Sequence, residues 1–340
     1  MKKQTSFLKR LLITGLFFHL LVGCQSEHGS TLKVAAPTPK EGAAQPTSPD
    51  EVFELRDNPY QIGAEWNRAP VKNEDDYAGQ IFQLYRAGMG AVGTGFYIGE
   101  FGGKHLVMTA AHTYKDLVSC EDEVSFIAKS EKFDLYFFCS GWSYQLKDND
   151  ILFIEIASDD EGAFEKLKAV KFSNREFSKG DQLRLLTIDR DMPEFSFHWS
   201  VDESVDCVLM SSLSRTLKDP DSVILQDGEK KISSWSLPVG CDGMHGDSGS
   251  PVLNSESELV GVLWTGKHPK TSQVESIKNL SDKAIWSELN YIVPASKISE
   301  ELHGIVSGQN YLSLYTKTML QNIADALDGV EIENEFLLQK

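Results

Sequence analysis

The chain has 340 residues, of which 41% are hydrophobic and 24% are charged, an ordinary composition for a globular protein of one or two domains. Its 50 acidic and 33 basic residues give a formal net charge of −17. Because a surface of that sign repels phosphate groups, we expect no nucleic-acid partner.

The N-terminus has the order of a secretory signal. A basic start, "MKKQTSFLKR", precedes "LLITGLFFHLLV", which is too short to span a bilayer comfortably. The next residues, "LVGC", resemble the bacterial lipobox, in which the chain is cut before a cysteine that then carries lipid. We predict a lipoprotein signal peptide over residues 1–23 and lipidation of Cys24. The alternative is an ordinary signal with an incidental cysteine.

These features predict a location in a bacterial cell envelope. The lipid on Cys24 would attach the chain to a membrane, at the outer membrane or periplasm in a Gram-negative cell, unless later cleavage secretes it. Residues 24–76 are predicted to form a lipid-anchored linker and an N-terminal arm. Residues 25–50 are rich in Pro, Gly, Ser, Thr and Ala, which is typical of flexible linkers.

From Tyr77 onward the sequence consists of short β-branched and aromatic runs separated by glycines. Examples are "GTGFYIGEF", "KHLVMTA", "DILFIEIA" and "ELVGVLWTG". Many short strands without βαβ alternation predict an all-β barrel or sandwich. Two helices follow: "PASKISEELHGIV" predicts a closing helix, and "YLSLYTKTMLQNIADALDGV" an amphipathic helix that packs against the main domain.

One serine stands among glycines in "GDSGSP", residues 246–251. A serine hydroxyl is a weak nucleophile that needs a neighbouring base and a site for the oxyanion it creates. The backbone N–H groups of Gly246 and Ser248 could form that site, and Gly249 allows a sharp exit into the next strand. A tight turn alone would use the same glycines.

A candidate base and a candidate orienting group occur earlier in the chain. "VMTAAH" places His112 at the end of an apolar strand, where small neighbours leave room around the ring. "KDNDILFIEIA" places Asp150 directly before an apolar strand, with Asp148 as the alternative. Each has a commoner use, the histidine as a half-buried residue after a strand and the aspartate as a turn residue.

In the order His, Asp, Ser, the segments "TAAH", "NDILFI" and "GDSGSP" resemble the active-site segments of the trypsin/chymotrypsin superfamily of serine peptidases. "GTGF", "LVGVLWTG" and "NYIVPASKI" resemble other strands of that family. The resemblance implies an all-β fold, two six-stranded β-barrels with a C-terminal helix. It also implies catalytic His112, Asp150 and Ser248 in the cleft, an oxyanion hole at Gly246 and Ser248, and no metal or organic cofactor.

The likeness covers roughly residues 77–305, which we predict to be the peptidase domain, with a C-terminal helical extension over 306–340. It is closer to bacterial members, including glutamyl endopeptidase-like proteins, than to animal digestive enzymes, and those bacterial members often carry a cysteine where Cys241 stands. The resemblance implies a Cys207–Cys241 disulfide and leaves Cys120–Cys139 to close a local loop. The alternative is four free buried thiols.

Two residues near the serine are candidates for specificity. Asp242 resembles by count the acidic pocket residue that favours Lys or Arg before the cut bond, although relatives with other preferences share it. His245 lies at the predicted pocket mouth or is merely exposed. Leu263 stands near the place of the histidine that glutamyl endopeptidases use, so we expect basic residues rather than Glu. Asp247 is present without an activation-type N-terminus, which leaves its partner open.

The sequence therefore predicts a membrane-tethered serine endopeptidase that hydrolyses protein or peptide substrates through an acyl-enzyme. The alternative is a catalytically silent lipoprotein that keeps the peptidase fold and acts as a binding module. The presence of all three triad residue types favours the enzyme. The absence of a G-x-S-x-G elbow argues against an α/β-hydrolase esterase.

Overall fold

A computed structural model describes most of the chain between residues 53 and 330. The described residues are 53–54, 68–71, 77, 79–86, 90–114, 124–130, 133–160, 162–173, 175–188, 201–204, 207–218, 224–225, 228–229, 233–241, 243, 246–266, 290–308 and 312–330. The predicted signal peptide, Cys24 and the linker lie outside them, as do the specificity candidates Asp242 and His245. The domain boundaries predicted from the sequence stay predictions.

The first half of the described chain forms a closed barrel of six strands. In chain order these are β3 (Ile81–Arg86), β4 (Gly90–Phe101), β5 (Lys104–Ala110), β6 (Val124–Ser130), β7 (Phe133–Gln145) and β8 (Ile151–Ala157). Their order around the barrel is β3-β4-β5-β8-β7-β6. Neighbouring strands are antiparallel throughout, including the pairs β3–β6 and β5–β8, which are not consecutive in the chain.

Strands β5 and β8 are buried on both faces, which explains their nearly continuous apolar sequences. Val107 and Ile154 point into the barrel. Alternate residues, Leu106, Met108 and Phe153, belong to the larger cluster that the second sheet and the helices share. The period-2 alternation of a strand therefore serves two cores at once, and these strands carry the site described below.

The second half of the chain forms a larger sheet. Two early strands, β1 (Phe53–Glu54) and β2 (Arg68–Pro70), join it together with β9 (Lys171–Phe172), β10 (Leu183–Ile188), β11 (Val201–Ser204), β12 (Arg215–Lys218), β15 (Ser233–Val239), β16 (Pro251–Asn254), β17 (Glu258–Gly266) and β18 (Asn290–Pro294). The order is β1-β12-β15-β18-β17-β16-β10-β11-β2, with β9 paired to β17. A separate hairpin consists of β13 (Ile224–Leu225) and β14 (Gly228–Glu229). The predicted all-β, chymotrypsin-like fold is confirmed.

Two helices end the described chain, α1 (Ala295–Gly308) and α2 (Leu314–Leu327). Each buries residues three or four apart on one face: Ala295, Ile298, Leu302 and Ile305 in α1, and Met319, Leu320, Ile323 and Leu327 in α2. These side chains belong to the same core cluster as the second sheet, so the predicted packing of the amphipathic helix is confirmed. Among the described helices, none is long and apolar enough to cross a membrane.

A disulfide joins Cys207 to Cys241, the pair implied by the family resemblance. Both residues are fully buried. Cys139 is also disulfide-bonded, but its predicted partner Cys120 lies outside the described residues. The Cys207–Cys241 bond fixes the end of β15, immediately before the loop that carries Ser248.

We expect the double variant Cys207→Ala, Cys241→Ala to lose stability. The bond spans a sequence separation of 34 residues, for which the loss of chain entropy in the unfolded state corresponds to about 4 kcal/mol. Urea unfolding of the variant and of the oxidised parent gives the difference in free energy of unfolding. Identical unfolding midpoints for the two proteins would contradict this expectation.

Candidate active site

His112 and Asp150 are brought together by the pairing of two adjacent strands. His112 lies in a 3₁₀ turn, Ala111–Tyr114, directly after β5. Asp150 directly precedes β8, and the antiparallel register pairs Ala110 with Ile151. The end of β5 therefore meets the start of β8, and the residues flanking these two ends become neighbours across 38 positions of sequence.

The carboxylate of Asp150 holds both the backbone and the ring of His112. Its Oδ1 accepts the His112 backbone N–H at 2.9 Å, and its Oδ2 lies 2.5 Å from His112 Nδ1. The Asp150 side chain is 2% exposed, whereas that of His112 is 20% exposed. Because an ionised carboxylate only accepts hydrogen bonds, Nδ1 carries the proton and Nε2 presents its lone pair.

Ser248 lies on the other side of the imidazole. Its Oγ is 2.8 Å from His112 Nε2, within the range of a good hydrogen bond. With the tautomer set by Asp150, the Ser248 hydroxyl donates to Nε2. A hydroxyl hydrogen-bonded to a neutral imidazole is the arrangement that general-base activation of a serine requires.

Asp148, the alternative third group, does not bond to His112 among the described contacts. It is exposed, whereas Asp150 is buried and bonded to His112. The backbone N–H of Asp150 also donates to Ser234 Oγ at 3.1 Å. The structure therefore brings Asp150, and not Asp148, together with His112 and Ser248.

The loop around Ser248 depends on two glycines with positive φ. Gly246 has φ 95° and Gly249 has φ 90°, both in the left-handed region that other residues rarely adopt. The Gly249 N–H donates to the Leu263 carbonyl at 2.7 Å, and the Ser250 N–H donates to the Asp247 carbonyl at 2.8 Å. The glycines thus shape a tight turn that presents the Ser248 side chain to His112.

Thr94 of the first barrel fixes this loop. Its backbone N–H donates to the Ser248 carbonyl at 2.9 Å, and its hydroxyl donates to the Gly246 carbonyl at 3.0 Å. These bonds orient the peptide planes that directly follow the two predicted oxyanion-hole donors. Sequence reasoning missed this role of Thr94, and its place in "GTGF" was the one available signal.

Much of the chain matches the sequence model of a known protein family. The sequence model of the Trypsin family matches residues 77–279, more than half of the chain. The chain belongs to the trypsin family. It is accordingly a serine-type peptidase, whose substrates are proteins or peptides.

This trypsin-family chain also resembles two crystal structures of Rv3671c. A serine-to-alanine mutant from M. tuberculosis H37Rv, in an inactive form, has 15% sequence identity and a TM-score of 0.43, covering 72% of this chain and 98% of its own. The inactive form of the Rv3671c protease has 14% identity and a TM-score of 0.42, covering 68% and 90%. No curated protein matches the chain.

The predicted specificity residues Asp242 and His245 of this trypsin-family chain lie outside the described residues. Among the described residues, the side chain of Asn290, at the start of β18, donates to the Cys241 carbonyl at 2.6 Å. Leu263 is buried, and its carbonyl accepts the Gly249 N–H. The preference for basic residues and the glutamyl endopeptidase likeness stay predictions.

We expect Gly249→Ala to destabilise the trypsin-family fold strongly. A Cβ at this position would collide with the Thr94 carbonyl oxygen and the Thr109 hydroxyl, in addition to straining a φ of 90°. Together these effects should cost about 3 kcal/mol or more in free energy of unfolding.

Gly180→Ala is the matched control for Gly249→Ala, since Gly180 has φ 93° and no atom within 4 Å of an added Cβ. It should show the backbone strain alone, about 1–2 kcal/mol. Denaturant unfolding of both variants gives the comparison. Equal losses in the two variants would show that close packing at Gly249 is unimportant.

Proposed function

We propose that this chain is a serine endopeptidase in which Ser248 is the nucleophile, His112 the general base and Asp150 the orienting carboxylate. One observation carries the proposal: the His112 ring is bonded on one side to a buried carboxylate at 2.5 Å and on the other to a serine hydroxyl at 2.8 Å. Neither bond alone would distinguish an active site from a structural hydrogen bond. The two on one imidazole, in the required order, match the chemistry of acyl transfer.

In the proposed mechanism Ser248 Oγ attacks the scissile carbonyl carbon while His112 Nε2 takes the hydroxyl proton. The carbonyl oxygen becomes an oxyanion, which the backbone N–H groups of Gly246 and Ser248 stabilise. The tetrahedral intermediate collapses as His112 donates its proton to the leaving amine, and the acyl group stays on Ser248. Water then attacks the ester with His112 again as base, which releases the acid and restores the serine.

Asp150 keeps the imidazole in the productive tautomer throughout this cycle. Its buried carboxylate accepts a hydrogen bond from the Nδ1–H group and stabilises the imidazolium that forms when Nε2 is protonated. The bond from Asp150 Oδ1 to the His112 backbone N–H fixes the turn that carries the ring. The carboxylate thus sets both the position of the ring and its proton.

We propose further that lipid on Cys24 tethers the peptidase to the cell envelope, with residues 24–76 as linker and arm. The basic start, the apolar run and the "LVGC" sequence support this proposal by their order. Cys24→Ser should move the protein from the membrane fraction to the soluble fraction. Unchanged fractionation of this variant would overturn the tether without affecting the proposed chemistry.

Cleavage of an unstructured protein substrate tests the peptidase itself. The folded chain should cleave it, and treatment with a fluorophosphonate should abolish cleavage. A folded chain that binds the substrate without cutting it, and that never reacts with the fluorophosphonate, would favour the silent binding module.

A further inference from the structure

The loop that leads to Asp150 is held by the C-terminal helix α1. Glu301 of α1 points its carboxylate into this loop, residues 147–149. Its Oε1 accepts the backbone N–H groups of Lys147 at 2.6 Å and of Asp148 at 2.8 Å. Its Oε2 accepts Asn149 Nδ2 at 2.8 Å. One side chain, more than 150 positions later in the sequence, therefore binds three consecutive residues just before Asp150.

Asn149 carries this contact onward to the backbone of Asp150. Its Oδ1 accepts the Trp235 N–H at 3.3 Å and lies 3.4 Å from the Ser234 hydroxyl oxygen. The same hydroxyl accepts the Asp150 N–H at 3.1 Å. Asn149 and Ser234 are both buried, so these bonds are protected from water. A continuous hydrogen-bonded path thus joins Glu301 to the residue that orients His112.

The charged groups around Glu301 do little to stabilise its ionised carboxylate. Lys297, one turn earlier on α1, pairs with Glu300 at 2.5 Å and lies 4.3 Å from the centre of the Trp235 ring. In the loop, Lys147 and Asp148 are both exposed. The negative charge of Asp148 repels that of Glu301 and so raises the pKa of Glu301. Among the described residues that line this contact, the titratable side chains besides Glu301 are those of Lys147, Asp148, Lys297 and Glu300.

Burial raises the pKa of the Glu301 carboxyl above its usual value, although the three hydrogen bonds act in the opposite direction. The folded chain therefore binds this proton more tightly than the unfolded chain does. Ionisation of Glu301 consequently lowers stability as the pH rises between the unfolded and folded pKa values. The geometric feature that favours a carboxylate at this place is the convergence of three donors from the Asp150 loop.

We propose that Glu301 is a positioning residue for the triad, which fixes loop 147–149 and thereby the Asp150–His112 hydrogen bond. The inference rests on the proposed function for its catalytic consequence. Its structural part, the coupling of α1 to the His112 Nδ1 proton, is measurable without any turnover.

Glu301→Gln is the test variant, and Glu300→Gln is its matched control. A glutamine keeps one oxygen for the two backbone N–H groups but turns an NH₂ group toward Asn149 Nδ2, which is itself a donor. Asn149 cannot reverse its amide without losing the bond from the Trp235 N–H. Glu300 is the adjacent, mostly exposed carboxylate of the same helix, and it pairs with Lys297 instead of with the loop.

The first measurement is the NMR resonance of the His112 Nδ1 proton in the full chain, assigned by ¹⁵N-histidine labelling and by its loss in His112→Ala. We expect Glu301→Gln to shift or broaden this resonance and Glu300→Gln to leave it as in the parent. Thermal unfolding of both variants shows that the spectra come from folded protein. Should Glu301→Gln fail to fold, Asn149→Ala removes the same link from the loop side, with the same expected result.

The second measurement is kcat for peptide cleavage as a function of pH. The rate is divided by the concentration of enzyme molecules that react with a fluorophosphonate. At neutral pH we expect Glu301→Gln to lower kcat about tenfold or more with little change in KM, because the reacting groups are misplaced while substrate contacts persist. Protonation of His112 alone lowers kcat about tenfold for each unit that the pH falls below the pKa of His112 in the complex. In the parent, kcat should fall more steeply than this at the pH where Glu301 also becomes protonated. In Glu301→Gln, which lacks this second protonation, the slope should stay close to about tenfold per pH unit.

The outcomes separate this inference from the proposed function. An unchanged Nδ1 proton resonance in Glu301→Gln overturns the positioning role, whatever the activity. A shifted resonance in a chain whose parent never cleaves peptides supports the positioning role and overturns the proposed function. A shifted resonance with lowered kcat in Glu301→Gln, and neither change in Glu300→Gln, supports both.

Discussion

Ser248→Ala should lower kcat for peptide cleavage by about a millionfold, to the residual rate left by binding and the oxyanion site. The reason is that Ser248 Oγ, 2.8 Å from His112 Nε2, is the oxygen that would form the acyl ester, and alanine removes it. The measurement is single-turnover cleavage of a reporter peptide by parent and variant. Cleavage by the variant at the parental rate would exclude Ser248 as the nucleophile.

Ser250→Ala is the matched control for this variant. Ser250 lies in the same loop and is fully buried, but its Oγ has no hydrogen-bond partner among the described residues. Its backbone bonds to Asp247 and Leu263 do not involve the side chain. Ser250→Ala should therefore retain parental activity, which would show that the effect at Ser248 comes from its hydroxyl and not from disturbance of the loop.

Asp150→Asn should lower kcat by about 10⁴-fold while the chain stays folded. An asparagine can keep the bond from the His112 backbone N–H to its oxygen, but its NH₂ group faces Nδ1 and forces the proton onto Nε2. The Ser248 hydroxyl then meets a donor instead of an acceptor. Steady-state kinetics with circular dichroism as a folding check measures the effect.

Asp148→Asn supplies the control for Asp150→Asn. Asp148 is exposed and makes no contact with His112 in the described structure, so the control should keep parental kcat. If Asp148→Asn lost activity and Asp150→Asn kept it, Asp148 and not Asp150 would be the residue that orients His112. Such a result would also conflict with the burial of Asp150 beneath the imidazole.

Much of the first barrel follows from local sequence. The apolar run "ILFIEIA" is buried on both faces in β8, and such runs are recognisable because burial on two faces removes the polar alternation. His112 and Asp150 could be predicted for the same reason, since each flanks such a strand. Their contact follows from the antiparallel pairing of β5 with β8.

Other elements could not be predicted because their stability comes from distant partners. The segment predicted as linker and arm, residues 24–76, includes two short strands, Phe53–Glu54 and Arg68–Pro70, which pair with outer strands of the second sheet. Strands of two or three residues show no periodicity, and backbone hydrogen bonds to an existing edge are enough to form them.

The sequence did not predict the roles of Thr94 and Glu301 for a related reason. Each binds a loop about 150 positions away, and it does so mainly through the backbone groups of that loop, which every sequence contains. A threonine in a strand and a glutamate on the polar side of a helix have ordinary uses that need no such partner. Only the folded arrangement shows where their hydrogen bonds lead.

The rate at which a fluorophosphonate modifies Ser248 measures whether His112 activates this serine. Mass spectrometry of the parent chain should find one adduct, on the peptide that contains Ser248. In folded His112→Ala this adduct should form more slowly by several orders of magnitude, because the hydroxyl has lost its base. An adduct on another residue would show that Ser248 is not the reactive nucleophile. Equal rates at Ser248 in parent and variant would show that His112 does not activate it.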